Sequence, residues 1–151
     1  MAAAAAIFLA ISGTGAALYS LASGTQIEAG RPDPGRASLL AYRDAMQPAS
    51  RDFFAVTDSL SALASDGITP REASQLQTGP LDRVRKLLGE TAVPQGAQPS
   101  RAHFASAVDQ LGRAVENATR ADRGTTIVAV NLARSEWLKG SDALAAELAR
   151  R

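Results

Sequence analysis

The sequence contains no cysteine, a single histidine (His103) and few aromatic residues, which make up 5% of the chain. Without cysteine the chain can form no disulfide, no thiolate metal site and no lipidated N-terminal cysteine. His103 follows the start of a predicted helix, and we expect a structural or surface role for it rather than a catalytic one. With so few aromatic residues, Leu, Val and Ala must build the core, as thin helical bundles allow.

An excess of charge of one sign is also missing. The formal net charge is +1, and acidic and basic residues are interspersed. Because such a surface has no large field of one sign, we expect no nucleic-acid partner. Motifs of catalysis are absent too: there is no Gly-x-Ser-x-Gly, and Gly13-Thr14-Gly15 lacks the third glycine of a dinucleotide-binding turn. The sequence therefore predicts a protein that is not an enzyme, with no catalytic residue, cofactor or metal.

The first 23 residues carry no charged side chain, and none appears before Glu28. Such a run is about as long as the roughly 20 residues that a helix needs to cross a membrane. Residues 1–23 are therefore predicted to be a single transmembrane helix in the lipid bilayer. Gly13 and Ala17 have the small-xxx-small spacing with which membrane helices pack against each other, which favours an integral membrane protein as partner.

A cleaved signal peptide is the main alternative for this segment. Ser20-Leu21-Ala22 could serve as its cleavage site. A basic residue close to Met1, which signal peptides normally have, is missing, so we prefer an uncleaved anchor. By the positive-inside rule, basic residues next to a membrane helix favour the cytoplasmic side. Three of them follow the segment, Arg31, Arg36 and Arg43, which favours a cytoplasmic C-terminal domain.

Residues 24–36 are rich in Gly and Pro and are predicted to be a tether, which leaves residues 37–151 as one domain. Asp33 can cap the first helix, with Pro34 at its first position. Pro48 should bend that helix or split it, and we prefer one bent helix. Apolar and small residues then recur at alternating spacings of three and four, which predicts a core stripe. These residues are Leu39, Tyr42, Met46, Ala49, Phe53, Val56, Leu60 and Leu63.

Three further helices are predicted, which makes the domain all-α and similar to a four-helix bundle. Thr69 and Glu72 form a capping box for the second helix, which Gly79-Pro80 should break or jog. Ser100 should cap the third helix. The β-branched run after Gly124 could be a strand, but without a partner strand we expect a fourth helix, with Gly140 as its weak point. The core stripe of the third helix is Phe104, Val108, Leu111, Val115 and Ala118, and that of the fourth is Ile127, Val130, Ala133 and Trp137.

The arrangement of Val93-Pro94, Arg101-Ala102-His103-Phe104, the Asp122 turn and the late Trp137 helix resembles membrane-tethered helical-bundle proteins of high-GC bacteria. The resemblance covers roughly residues 37–149 and rests on a diffuse motif. It implies an extracytoplasmic bundle, against the positive-inside count, and it implies no activity. Members of that class carry a lipidated cysteine where this chain offers an apolar helix.

Together these features predict a single-pass membrane protein whose bundle lies outside the cytoplasm. As a function we expect an accessory or scaffolding subunit of a membrane complex, bound through its anchor and its bundle in a hetero-oligomer. The alternative is a secreted or surface-exposed binding module, released when a signal peptide is cleaved.

Overall fold

The computed structural model describes residues 33–66 and 69–151, and every regular element in these two ranges is helical. The predicted all-α class is therefore confirmed for this part of the chain, which forms a helical bundle. The predicted transmembrane helix, with Gly13 and Ala17, lies outside the described residues. No helix in the described ranges combines the length and the apolar character needed to cross a membrane.

The first helix, α1 (Pro34–Asp66), begins where the sequence predicts a cap. The Gly35 amide donates a hydrogen bond of 2.9 Å to Asp33 Oδ1, which satisfies one of the free amides of the first turn. Pro34 takes the first helical position, where its fixed φ and missing N–H cost nothing. Residues 34–36, which the prediction assigned to the tether, are helical, and residues 24–32 lie outside the described residues.

Helix α1 continues through Pro48 without a break, so the predicted helix is not split there. At 33 residues it is about 50 Å long, at roughly 1.5 Å per residue. The core stripe from Leu39 to Leu60 is buried, whereas Leu63 is only half-buried and Ala64 is buried. A straight helix drifts by about 20° per heptad against a 3.5-residue repeat. After three heptads this drift brings Ala64 into the core and leaves Leu63 at its edge, so the predicted stripe is off by one residue at its end.

The second predicted helix consists of α2 (Pro70–Leu76), a π-helical turn (Gln77–Leu81) and α3 (Asp82–Glu90). Thr69 and Glu72 form the predicted capping box: the Thr69 amide donates to Glu72 Oε2 at 3.1 Å, and the Glu72 amide donates to Thr69 Oγ1 at 3.4 Å. The π turn contains Pro80, so the helix is jogged and not broken. Leu81 and Val84 after the jog are fully buried.

The third predicted helix is α4 (Gln98–Thr119), preceded by a 3-10 turn (Gln95–Ala97). The prediction that Ser100 caps it is wrong, because Ser100 lies inside the helix and is buried. Pro99 explains the difference: its fixed φ suits the first turn, so the helix begins before the serine. The stripe from Phe104 to Ala118, including Val108, Leu111 and Val115, is buried.

A tight turn joins α4 to the fourth predicted helix, α5 (Arg123–Ala149). Ala121 adopts a left-handed φ of 58°, and the Asp122 amide donates to the Asn117 carbonyl at 3.0 Å. These are features of a Schellman turn, which ends α4. Asp122 then caps α5 by accepting from the Thr125 amide at 3.1 Å. The β-branched run after Gly124 is therefore helical, as predicted.

Trp137 of α5 occupies the centre of the core. Its ring stacks on Phe53 of α1 at a centroid distance of 4.2 Å and contacts Phe104 of α4 at 4.7 Å. Three helices are thus joined through one aromatic cluster. Offset aromatic pairs of this kind contribute about 0.5–1.5 kcal/mol each beyond the area they bury.

Candidate protein-interaction surface

The solvent-facing side of α5 carries every large hydrophobic residue that the structure finds exposed in its described ranges. Ile127 is 45% exposed, Val128 59%, Leu132 49% and Leu138 50%. Between and beyond them the same side presents mostly small residues. We call this side the α5 outer face and define it as Gly124, Ile127, Val128, Asn131, Leu132, Ser135, Leu138, Lys139, Asp142, Ala145, Ala146 and Ala149, all exposed.

The opposite side of α5 is apolar as well. Thr126, Ala129, Val130, Ala133, Trp137, Gly140 and Leu144 are buried there. Helix α5 thus carries large apolar residues on two sides but is covered on one side only. Single exposed hydrophobic residues need no explanation, but several on one face indicate an interaction site.

The sequence-based stripe for α5 placed Ile127 in the core, and this is wrong. Thr126, which lies about three helical turns before Trp137, is buried in its stead. Its hydroxyl donates a 2.6 Å hydrogen bond to the Asp122 carbonyl, so this polar side chain is buried without an unpaired group. Val128, Leu132 and Leu138 had no assigned role in the sequence-based interpretation. The available signal was the excess of large apolar residues on α5 beyond one stripe.

Few charged side chains lie on the α5 outer face, namely Lys139 and Asp142, and Arg134 and Glu136 lie at its rim. Arg134 at the rim forms an ion pair with Asp58 of α1. Glu136 accepts a hydrogen bond from Lys139 Nζ at 2.6 Å and pairs with His103 Nδ1 at 2.8 Å. These two partners, Lys139 first, lower the pKa of the Glu136 carboxyl. Covering the face would therefore desolvate few charges without a partner, which keeps the cost of docking low.

His103 is half-buried and joins α4 to α5 through its contact with Glu136. The described residues contain no group of three or more His, Cys, Asp or Glu side chains placed to hold a metal ion. This geometry fits the predicted structural role of the histidine, in which the carboxylate orients the ring.

Three core side chains of the described ranges bury a polar atom that forms no hydrogen bond with the protein: Tyr42 Oη, Ser100 Oγ and Trp137 Nε1. Burial raises the pKa of the Tyr42 hydroxyl, and the charge of Arg101 opposes the shift. These groups belong to three different helices and to the packed core. An open cleft lies elsewhere, between the start of α1 and the end of α5, and is lined by Gly35, Ser38, Leu39, Pro94, Gln95, Gly96 and Arg151.

That cleft is a weak candidate for a ligand site. Its guanidinium, on Arg151, already contacts Glu147 Oε1 at 3.0 Å and Asp33 Oδ2 at 3.9 Å. Ligand pockets normally have a deep apolar wall, whereas this cleft is open and its large apolar lining residues are only Leu39 and Pro94. The α5 outer face is thus the stronger candidate site.

No protein-family model, curated protein or solved structure matches this chain. The resemblance to membrane-tethered helical bundles therefore stays a prediction.

Proposed function

We propose that the protein is a non-enzymatic accessory or scaffolding subunit that binds another protein through the α5 outer face. In this proposal residues 1–23 anchor it in a membrane, beside an integral membrane partner, and the bundle lies on the extracytoplasmic side. The observation that carries the proposal is the exposure of four large hydrophobic side chains on one helix.

The apolar area of the α5 outer face is too small for tight binding unless a second contact holds the two proteins together. Burying a whole Val, Leu or Ile side chain contributes roughly 1.5–3 kcal/mol, so four half-exposed side chains offer roughly 4 kcal/mol. Association of two free proteins costs roughly 4–15 kcal/mol in lost translational and rotational freedom. The α5 outer face alone would therefore bind weakly. A membrane anchor on the same complex raises the effective concentration and makes a weak contact sufficient.

Purification of the full-length protein from membranes in mild detergent tests the proposal. The wild type is compared with a Val128→Ser/Leu138→Ser variant and with a matched control, Ala102→Ser/Ala105→Ser, on the exposed side of α4. We expect a partner to co-purify with the wild type and the control, and its yield to fall about tenfold with the α5 variant. A tenfold loss corresponds to about 1.4 kcal/mol, which is a modest share of the apolar contact.

Circular dichroism melts should be alike for all three proteins, because every substituted side chain is exposed. A monodisperse protein without partner, or equal recovery of a partner with all variants, would contradict docking through α5. A mature N-terminus near Ser23 would contradict the anchor and favour the released binding module.

A further inference from the structure

We infer that the α5 outer face binds the same face of a second copy of this chain, with the two α5 helices antiparallel. The inference rests on the proposed function, because it takes the face to be a protein-binding surface and names the partner. The spacing of exposed residues supports it. Exposed residues recur along α5 at alternating intervals of four and three: Gly124, Val128, Asn131, Ser135, Leu138, Asp142, Ala145 and Ala149.

This spacing is that of a helix that packs against another helix at a small crossing angle. A 3.5-residue repeat keeps one seam facing the partner over several turns. Four of the eight seam residues are Gly, Ala or Ser. Small side chains at a seam let two helices approach closely.

One antiparallel register matches residues of like chemistry. It pairs Val128 of one copy with Leu138 of the second copy, and Asn131 with Ser135. Apolar side chains then meet apolar ones on both sides of the two-fold axis, and the amide faces a hydroxyl that can accept or donate. Leu132 lies beside the axis, next to the Leu132 of the second copy. A shift by one heptad would instead place Ser135 against Leu138.

Charges are complementary in the same register. Asp142 faces Gly124 of the second copy, in the first turn of its α5, where the helix dipole favours a carboxylate, while Asp122 of that copy already accepts from the Thr125 amide. Arg123 precedes that glycine and adds a positive charge. The charged side chain closest to the two-fold axis is Arg134. The Arg134 side chains of the two copies would repel each other there. Asp58 of the same chain already neutralises each of them.

The contact from residue 124 to residue 142 is about 27 Å long. One helix pair of this length buries less than the roughly 800 Å² per partner of a standard interface. We therefore expect a reversible, concentration-dependent dimer. The two-fold symmetry closes the assembly at two copies and leaves no open face for a filament.

Disulfide trapping tests the register, since the chain has no cysteine of its own. Full-length Val128→Cys and Leu138→Cys proteins are prepared in detergent and oxidised mildly, each alone and then mixed. In the antiparallel pair a substituted position and its own counterpart in the second copy are ten residues apart along the axis. That distance is about 15 Å, which exceeds the reach of a disulfide. We expect cross-linked dimers mainly in the mixture, roughly tenfold or more above either protein alone, because only unlike positions face each other.

A mixture of Val128→Cys with Ala102→Cys measures random collision, because Ala102 is exposed on α4, outside the face. Cross-linking of either α5 variant alone would show a parallel pair and overturn the inference. Cross-linking of the α5 mixture no faster than the collision control would overturn it as well.

These outcomes separate the inference from the proposed function. If the mixture fails to cross-link while Val128→Ser/Leu138→Ser still loses a co-purifying protein, the face binds a different protein and self-pairing is wrong. If the mixture cross-links and no other protein co-purifies, the second copy is the partner and docking on a membrane complex is wrong.

Discussion

Gly140 shows how a single residue decides the fit of two helices. A Cβ atom at this position would lie 2.7 Å from a ring carbon of Phe104 and 3.1 Å from the Ser100 carbonyl oxygen. The Phe104 ring also contacts Trp137 at a centroid distance of 4.7 Å, which limits how far it can move. The predicted weak point of α5 is thus a close contact between α4 and α5.

Replacing Gly140 by Ala should therefore destabilise the bundle. Overpacking of a tight core site costs about 1–3 kcal/mol, and the better helix propensity of Ala returns at most about 1 kcal/mol. Chemical denaturation of wild type and variant measures the difference. Gly89→Ala is the control, since nothing lies within 4 Å of its added Cβ, and it should leave the protein equally stable or slightly more stable. Equal behaviour of both variants would show that the contact at Gly140 is loose.

Among the helices, α1 and α5 differ in how far their apolar pattern determines which side is buried. Helix α1 has one apolar stripe and buries it from Leu39 to Leu60. Helix α5 carries large apolar residues on two sides, and its pattern therefore fits more than one orientation. Packing of Trp137 between Phe53 and Phe104 selects one of them and leaves Val128 and Leu132 in solvent.

Pro48 lies on the solvent-exposed side of α1, and the helix continues before and after it. A proline there removes one helical hydrogen bond and its ring crowds the Asp44 carbonyl, at a cost of about 3 kcal/mol. Pro48→Ala should therefore stabilise the protein, by roughly 1–3 kcal/mol in urea unfolding. A loss of stability would mean that the packing of α1 depends on the proline.

At the scale of the whole molecule, ion pairs connect helices that are distant in sequence. Asp52 pairs with Arg83 across α1 and α3 at 2.8 Å, and Asp58 pairs with Arg134 across α1 and α5. Exposed pairs of this kind contribute little to stability, so the aromatic and aliphatic core must hold the bundle together. The ion pairs help to fix which faces of α1, α3 and α5 lie next to each other.

Stability should fall in acid, and Asp122 offers a clean test. The Thr125 amide holds the pKa of its carboxyl below the ordinary value of 3.8. A lowered pKa in the folded state adds stability above the unfolded pKa, and that stability is lost as the pH falls through the folded value. Asn caps a helix equally well but does not titrate, so Asp122→Asn should leave stability near pH 7 unchanged and reduce the loss below about pH 4.

Unfolding curves from neutral to strongly acidic pH measure this effect. Wild-type protein should also lose contributions from Glu72 and Glu136, whose pKa values are lowered by Thr69 and by Lys139 with His103. The acid-induced loss should therefore shrink in Asp122→Asn without vanishing. Identical pH profiles for variant and wild type would show that the cap at Asp122 is not formed in solution.

Local chemistry made much of the bundle predictable from the sequence. The caps at Asp33 and Thr69, the helix through Pro48 and the helical β-branched run depend on neighbours within a few residues, and the structure has them. The candidate site could not be predicted in this way. Exposure of Leu132 depends on which side of α5 meets the ring partners of Trp137, and these belong to helices far away in the chain.

The sequence by itself thus determined where helices form within residues 34–66 and 70–149, since spacing, caps and prolines act over one or two turns. Only the tertiary structure decided how each helix is rotated about its axis. It turned Ile127 outward, left Leu63 at the edge of the core, buried Ser100 and Thr126, and made Gly140 a contact point. The reason is physical: rotation is set by the close packing of side chains from different helices around Trp137, and no local pattern contains that information.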